Sequence, residues 1–177
     1  MTQAEFRDRL QEITDKYTKA RLNEQVKEIS DLRIEYYHNI ELVQIADPNN
    51  GFNCFALCFG IARSEKTQHL AKYCDIIPNS KYANYLIEQV LQEIRPNDSQ
   101  DGDYVVYMHD NMPTHVGYFL NGRIVSKWGS FGHTWKHDLW EVPSSYGNEA
   151  RYFRQLQKEN CEKTYLSWTE QKCQKRN

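Results

Sequence analysis

The pattern of apolar residues changes at Pro96, and this change constrains the fold more than any other feature of the sequence. Before Pro96, apolar residues recur every three or four positions, which is typical of amphipathic helices. After Pro96, short apolar runs are separated by turn residues. The pair Asn121-Gly122 lies between two such runs and favours a type I′ hairpin, because both residues accept positive φ. The sequence therefore predicts an α+β protein, with helices packed against one face of an antiparallel sheet.

The helical half begins with a capping box, in which Thr2 and Glu5 satisfy the first free amides of a helix. Its apolar stripe comprises Phe6, Leu10, Ile13, Tyr17 and Ala20. This helix is predicted to end near Glu28. Further helices are predicted over 53–62, 64–73 and 82–94, and short strands over 32–36 and 40–45.

The second half contains the predicted meander. Strands are expected over 104–107, 116–120, 123–128, 140–142 and 150–153. The glycine-rich segment 129–138 is predicted to be a loop, and the polar stretch after Leu156 suits a helix or a tail. We divide the chain into an N-terminal helix (1–30), a core (31–155) and a polar C-terminal segment (156–177).

Composition excludes several classes of protein. The formal net charge of -2 gives no reason to expect nucleic acid or an anionic membrane as a partner. No apolar stretch approaches the roughly 20 residues that a membrane-spanning helix needs. The five cysteines are irregularly spaced and odd in number, which favours free thiols over a disulfide framework. The first residues have neither a basic start nor an apolar core, so we expect a cytoplasmic protein, or one exported without a cleavable signal peptide.

Cys54 is the candidate nucleophile. It follows a turn ending in Phe52-Asn53 and stands where that turn should become a helix. The positive end of a helix dipole favours the thiolate, which is the nucleophilic form of cysteine. Its backbone amide is a natural oxyanion donor, and the side chain of Asn53 could add a second. Asn49 and Asn50 are better explained as turn formers.

His115 is the candidate base. It follows the turn at Pro113 and opens a strand, so its side chain can project from the sheet toward a covering helix. A cysteine and a histidine in contact are the minimum for thiol nucleophilic catalysis, and a third polar group usually orients the imidazole. An ordinary half-exposed strand residue is the alternative interpretation of His115.

These residues resemble a known family. The segments 102–107 and 114–125 are similar to the central hairpin of the NlpC-type papain-like cysteine peptidases and amidases, and the order Cys54 then His115 matches theirs. Ser126-Lys127-Trp128-Gly129, His137 and Tyr146-Gly147 resemble an uncharacterised bacterial papain-like family of similar size. The resemblance implies a papain-like fold with N-terminal helices packed on an antiparallel sheet.

The family places a third polar residue, usually histidine, about a dozen residues after the catalytic histidine. Here that position holds Lys127, which cannot accept a hydrogen bond while charged. Ser126 lies beside it and points to the other side of the strand. Ser126 and His137 are therefore equal candidates for orienting the base. Trp128, close to glycine, is predicted to face a substrate cleft.

The function expected from these residues is that of a cysteine peptidase or amidase, or an acyltransferase, acting on a peptide or protein without a cofactor. A toxin or effector role fits this expectation. The alternative is a papain-like binding or regulatory module without turnover, because the third residue is weak. A zinc site built from Cys54, Cys58, His133 and His137 is a further alternative, although the residues after Cys54 are typical of a core helix.

Overall fold

The computed structural model describes residues 1–16, 22–47, 51–61, 65 and 77–174. The α-helices are α1 (Gln3–Lys16), α2 (Leu22–Asp31), α3 (Cys54–Cys58), α4 (Ser80–Gln89) and α5 (Lys158–Gln174). The strands are β1 (Glu41–Gln44), β2 (Glu93–Ile94), β3 (Tyr104–His109), β4 (Met112–Leu120), β5 (Arg123–Lys127), β6 (Thr134–His137) and β7 (Glu149–Phe153). Within these residues the strands form one antiparallel sheet in the order β1-β6-β5-β4-β3-β7-β2. The predicted α+β class is confirmed.

Two tight hairpins fix the centre of the sheet, where β4 lies. The β4–β5 turn has φ of 53° at Asn121 and 73° at Gly122, as the sequence predicted. The β3–β4 turn has φ of 49° at Asp110 and 60° at Asn111, so it uses the same left-handed pair of residues. Asn and Asp tolerate this conformation better than other residues with a Cβ. The two turns therefore align three consecutive strands.

Helices cover both faces of the sheet, so the prediction of a single covered face is wrong. One face, here called the α1 face, carries Phe6, Leu10, Ile29, Val105, Tyr107, Ile124, Trp128 and Trp135. The other, here called the α3 face, carries Cys54, Phe55, Tyr82, Leu86, Val106, Met108, Val116, Tyr165 and Trp168. The reason lies in the central strands, whose side chains are apolar on both sides. A strand of that kind needs cover on both faces.

Several element boundaries differ from the predictions. Residues 32–34 form a 3₁₀ turn instead of a strand, and Ile34 is 89% exposed, so the alternation there is not a buried pattern. The predicted strand at 140–142 is a turn, whereas β6 lies in the segment predicted to be a loop. Helix α4 ends at Gln89, and β2 follows. Strand β6 is short and follows glycines that are typical of a loop, so the sequence does not predict it. In this strand Trp135 and His137 are buried and Lys136 is half-buried.

The N-terminal capping box is present: the Thr2 amide donates to the Glu5 carboxylate at 2.6 Å, and the Glu5 amide donates to Thr2 Oγ1 at 3.3 Å. The predicted contacts of Tyr17 and Ala20 lie outside the described residues, as does the predicted helix 64–73 apart from residue 65. The division into three segments stays a prediction. None of the described helices is long and apolar enough to cross a membrane.

Candidate active site

The start of α3 is fixed by Asn53. Its Oδ1 accepts a hydrogen bond from the backbone amide of Ala56 at 2.9 Å, which is an N-cap. Its Nδ2 donates to the carbonyl oxygen of Pro78 at 2.6 Å, which links α3 to the segment leading into α4. Cys54 is therefore the first residue of the helix, as the sequence predicted. The role of Asn53 as an oxyanion donor stays a prediction.

Cys54 is 6% exposed, and this burial decides the protonation of its thiol. Burial raises the pKa of Cys54 to about 12, although nearby groups act in the opposite direction. These are the backbone N–H groups of Val116, Phe55 and Cys54 itself, and the charge of Lys127. The expectation of a resting thiolate is therefore not met. A helix of five residues has a weak dipole, and it does not offset the loss of water around the sulfur.

His115 lies on β4 opposite Tyr107 and is 1% exposed. Its imidazole is stacked on the phenol ring of Tyr146, with ring centroids 3.7 Å apart and planes 10° apart. Burial, with a smaller contribution from the charge of His137, holds the pKa of His115 well below its ordinary value. The ring is therefore neutral at neutral pH, and its Nε2 has no hydrogen-bond partner among the described residues.

The side chains of Cys54 and His115 lie on opposite faces of β4. Val116 packs with Cys54 on the α3 face, and side chains alternate along a strand, so His115 belongs to the α1 face with Tyr107. The backbone N–H of Val116, in the peptide that joins it to His115, lies close enough to Cys54 to lower the pKa of its thiol. Tyr146 lies near both residues. Its ring stacks on His115, and its phenol is close enough to Cys54 for the charge of the thiolate to raise the pKa of Tyr146. Nε2 of His115 makes no hydrogen bond to the sulfur.

Ser126 and His137, the two candidates for orienting His115, are hydrogen-bonded to each other. His137 Nδ1 lies 2.8 Å from the carbonyl oxygen of Asp138, so it carries the proton. His137 Nε2 therefore accepts from the Ser126 hydroxyl at 2.8 Å, and Ser126 Oγ in turn accepts from the indole N–H of Trp128 at 3.1 Å. Within the described residues, neither candidate hydrogen-bonds to His115. Both lie on its face of the sheet, and His137 is close enough to influence it electrostatically.

The prediction that Trp128 faces a substrate cleft is wrong. Trp128 is 1% exposed and packs on the α1 face, with its ring centroid 5.5 Å from that of Trp135. Its indole N–H is used by Ser126. The glycines beside it serve the loop between β5 and β6, where Gly129 has φ of 75°.

The four residues of the zinc hypothesis are not brought together. His133 Nδ1 accepts from the Ala46 amide at 3.0 Å, and His133 Nε2 lies 2.9 Å from the carbonyl oxygen of Leu22. His137 is bonded to Ser126 on the α1 face, whereas Cys54 lies on the other face. Across the described ranges, no group of three or more His, Cys, Asp or Glu side chains is placed to hold a metal ion.

Sequence reasoning missed two contributors to this site, Lys127 and Tyr146. The sequence places Lys127 only at the position of an orienting group for the base, yet its charge acts on Cys54. Tyr146 holds His115 by ring stacking, a contact that a search for hydrogen-bonding residues overlooks. Both residues belong to the segments that carried the family resemblance, and that was the signal available in the sequence.

Comparisons of the chain with protein-family models, with curated proteins and with solved structures find no significant match. The likeness to NlpC-type enzymes therefore rests on the quoted residues. The function has to be inferred from the chemistry of the site itself.

Proposed function

We propose that the protein is a cysteine hydrolase or acyltransferase of papain-like type, with Cys54 as the nucleophile and His115 as the base. The observation that carries this proposal is the position of the Cys54 sulfur. The sulfur lies close enough to the backbone N–H of Val116, the residue after His115, and to the charge of Lys127 for both to lower the pKa of the thiol. A thiol near an N–H group and a positive charge, with a histidine of unpartnered Nε2 one residue along the same strand, supplies the groups that thiol catalysis uses.

The resting state of this pair is neutral, because burial favours the uncharged forms of both side chains. General-base catalysis follows from that state. His115 Nε2 takes the thiol proton as the sulfur attacks a carbonyl carbon, and the carbonyl oxygen becomes an oxyanion. The C–N or C–O bond then breaks, and His115 returns the proton to the leaving group. Water or an amine attacks the thioester at Cys54 and releases the thiol.

Because the two side chains lie on opposite faces of β4 and no hydrogen bond joins Nε2 to the sulfur, proton transfer requires a rearrangement of the His115 side chain or relay through water. Catalytic hydrogen bonds often tighten only when substrate is bound. A peptide or protein amide is the substrate class that we propose. Tyr146 and Tyr107, whose rings contact the imidazole, then hold His115 on the α1 face.

A binding module without turnover is the second candidate. Two observations favour it: the thiol is 6% exposed, and His115 has no hydrogen-bonded orienting residue within the described chain. In this case Cys54 and His115 are core residues of an inherited fold. The two candidates differ in whether Cys54 can be acylated.

Acylation by p-nitrophenyl acetate, followed by mass spectrometry of the intact protein and its peptides, tests the proposal. We expect one acetyl group on Cys54, lost in Cys54→Ala and retained in Cys58→Ala, the matched thiol one turn along α3. Because general-base catalysis typically contributes 10²- to 10⁴-fold, His115→Gln should slow acylation by at least about 100-fold. Slow acetylation spread equally over the cysteines would support the binding module and overturn the enzyme.

A further inference from the structure

Lys127 is a lysine buried next to the candidate nucleophile. It is the last residue of β5, and its side chain is 3% exposed. Strand alternation turns it away from Ser126, which faces the α1 side, and toward the α3 face where Cys54 lies. Lysine is rarely buried to this degree unless a partner compensates its charge.

The contacts of the Lys127 ammonium are few. Nζ donates to the carbonyl oxygen of Gly132 and lies 4.7 Å from the centroid of the Phe52 ring, two residues before Cys54. A Cβ at position 132 would come within 1.7 Å of the Trp128 carbonyl oxygen. Only glycine therefore allows the loop conformation in which the carbonyl oxygen of residue 132 accepts from Lys127. One carbonyl and one aromatic ring hold the ammonium in place, and both are uncharged.

Among the described residues, no carboxylate lies within salt-bridge distance of Lys127. A buried charge without a counter-ion is unfavourable, and here burial lowers the pKa of Lys127 to about 8. The charge of Cys54 acts in the opposite direction on Lys127, and the charge of Lys127 favours the thiolate of Cys54. In the part of the chain that the structure describes, the titratable groups coupled to the ammonium are the Cys54 thiol and the His133 imidazole, and of these two the thiol becomes an anion.

We infer that Lys127 is the electrostatic partner of Cys54, and that its ammonium stabilises the negative charge on the sulfur when the thiol proton leaves. This inference deepens the proposed function and rests on it for its purpose. Lys127 acts through Cys54 and takes no proton from the substrate. The position that orients the base in NlpC-type enzymes would here serve the nucleophile instead.

The pH dependence of alkylation at Cys54 tests this inference without requiring turnover. Iodoacetamide is the probe, and mass spectrometry of the Cys54 peptide gives the rate. In Lys127→Met we expect alkylation about tenfold slower below about pH 8, where Lys127 is charged in the wild-type protein, and equal to the wild type well above that pH. Lys127→Arg keeps the charge and should retain most of the wild-type rate.

Lys136→Met is the matched control, because it removes a positive charge from the adjacent strand β6 at a partly exposed side chain. Its profile should match the wild-type profile. An unchanged profile in Lys127→Met, with urea unfolding showing that the variant is folded, overturns the inference. If p-nitrophenyl acetate still acylates Cys54 in that case, the proposed function stands. If Cys54 is never acylated but the Lys127→Met profile shifts, the pairing stands and the proposed function fails.

Discussion

The imidazole of His115 and the phenol of Tyr146 are stacked face to face, with centroids 3.7 Å apart and planes 10° apart. Thr114, the residue before His115, strengthens the contact between the two segments, since its hydroxyl lies 2.5 Å from the carbonyl oxygen of Tyr146 and donates to it. Under the proposed function, this ring stack would take the role that a hydrogen-bonded third residue has in NlpC-type enzymes. The orientation of the His115 ring therefore depends on an aromatic residue from a distant segment of the chain.

Replacing Tyr146 by leucine should disorder His115. We expect Tyr146→Leu to slow acylation of Cys54 by about tenfold or more, since misplacing a catalytic group by a fraction of an ångström is enough for such a loss. Tyr146→Phe keeps the stack and should retain more of the rate. The ring-current shift of the His115 imidazole protons, measured by NMR, reports the stack directly.

Tyr152→Leu is the control for Tyr146→Leu, because Tyr152 stacks on Phe119 on the same face of the sheet, with centroids 6.0 Å apart. It removes a comparable ring contact away from Cys54. Equal losses of acylation in the two leucine variants would show that general destabilisation explains the effect. An unshifted His115 spectrum in Tyr146→Leu would contradict the orienting role outright.

Acid should destabilise the protein through its buried histidines. Burial lowers the pKa of His137 from 6.5 to about 4 in the folded state. Between these values the unfolded chain binds a proton that the folded chain does not, so the free energy of unfolding falls as pH falls through this window. Across the whole window His137 alone should contribute a loss of about 3 kcal/mol, because each pH unit between the two pKa values corresponds to about 1.4 kcal/mol. Burial lowers the pKa of His115 as well, so this residue adds to the loss.

Urea unfolding at a series of pH values between about 7 and 4 measures this loss. His137→Gln should flatten the pH dependence, because glutamine can still accept from the Ser126 hydroxyl and does not titrate. His109→Gln, at a histidine whose side chain is 61% exposed, is the matched control and should keep the wild-type slope. A wild-type slope in His137→Gln would contradict the prediction.

The sequence predicted those parts of the fold that depend on local chemistry. Asn121-Gly122 specified its hairpin because left-handed backbone favours these two residues, and Thr2 with Glu5 specified a helix start. The capping of α3 by Asn53 is equally local, and this is why Cys54 was placed correctly at a helix start. Strand β6 was missed because its short alternating pattern lies among glycines and turn residues.

The parts of the site that depend on long-range packing could not be predicted. The pairing of Tyr107 with His115 places the imidazole on the same face of the sheet as Tyr107. The sequence does not predict this register, nor the bulge that follows the pair. The protonation of Cys54 depends on how deeply the sulfur is buried, which a helix-start argument does not reveal. The stacking of Tyr146 on His115 requires the fold itself.

Removal of the α3 cap should affect both stability and reactivity. Asn53→Ala removes the hydrogen bonds to the Ala56 amide and the Pro78 carbonyl, and it should lower the free energy of unfolding by about 1–2 kcal/mol. Acylation of Cys54 should slow as well, because the backbone at the start of α3 is no longer fixed. Chemical denaturation and the p-nitrophenyl acetate assay measure the two effects.

Asn79→Ala provides a matched comparison for Asn53→Ala. Asn79 caps α4, where its Oδ1 accepts from the Lys81 amide at 2.9 Å and the Tyr82 amide at 3.2 Å. We expect a similar loss of stability with acylation nearly unchanged. If both variants lose acylation equally, the cap of α3 has no particular connection with the nucleophile.

Lys127→Met should stabilise the fold and slow the alkylation of Cys54. Burial lowers the pKa of Lys127 from 10.5 to about 8 in the folded state. Between these values the unfolded chain holds a proton that the folded chain has released. The free energy of unfolding of the wild-type protein therefore increases as pH rises through this range. At neutral pH the buried ammonium therefore destabilises the fold by up to about 3 kcal/mol, less the value of its hydrogen bond to Gly132.

Methionine at position 127, of similar length and uncharged, should recover part of this energy. Urea unfolding of the wild-type and Lys127→Met proteins measures the difference, which should be largest near pH 7 and shrink toward about pH 10. A less stable Lys127→Met protein at neutral pH would mean that the lysine is retained for structure. If Lys127→Met has a higher free energy of unfolding and its Cys54 is alkylated more slowly, then Lys127 lowers the stability of the fold and raises the reactivity of Cys54.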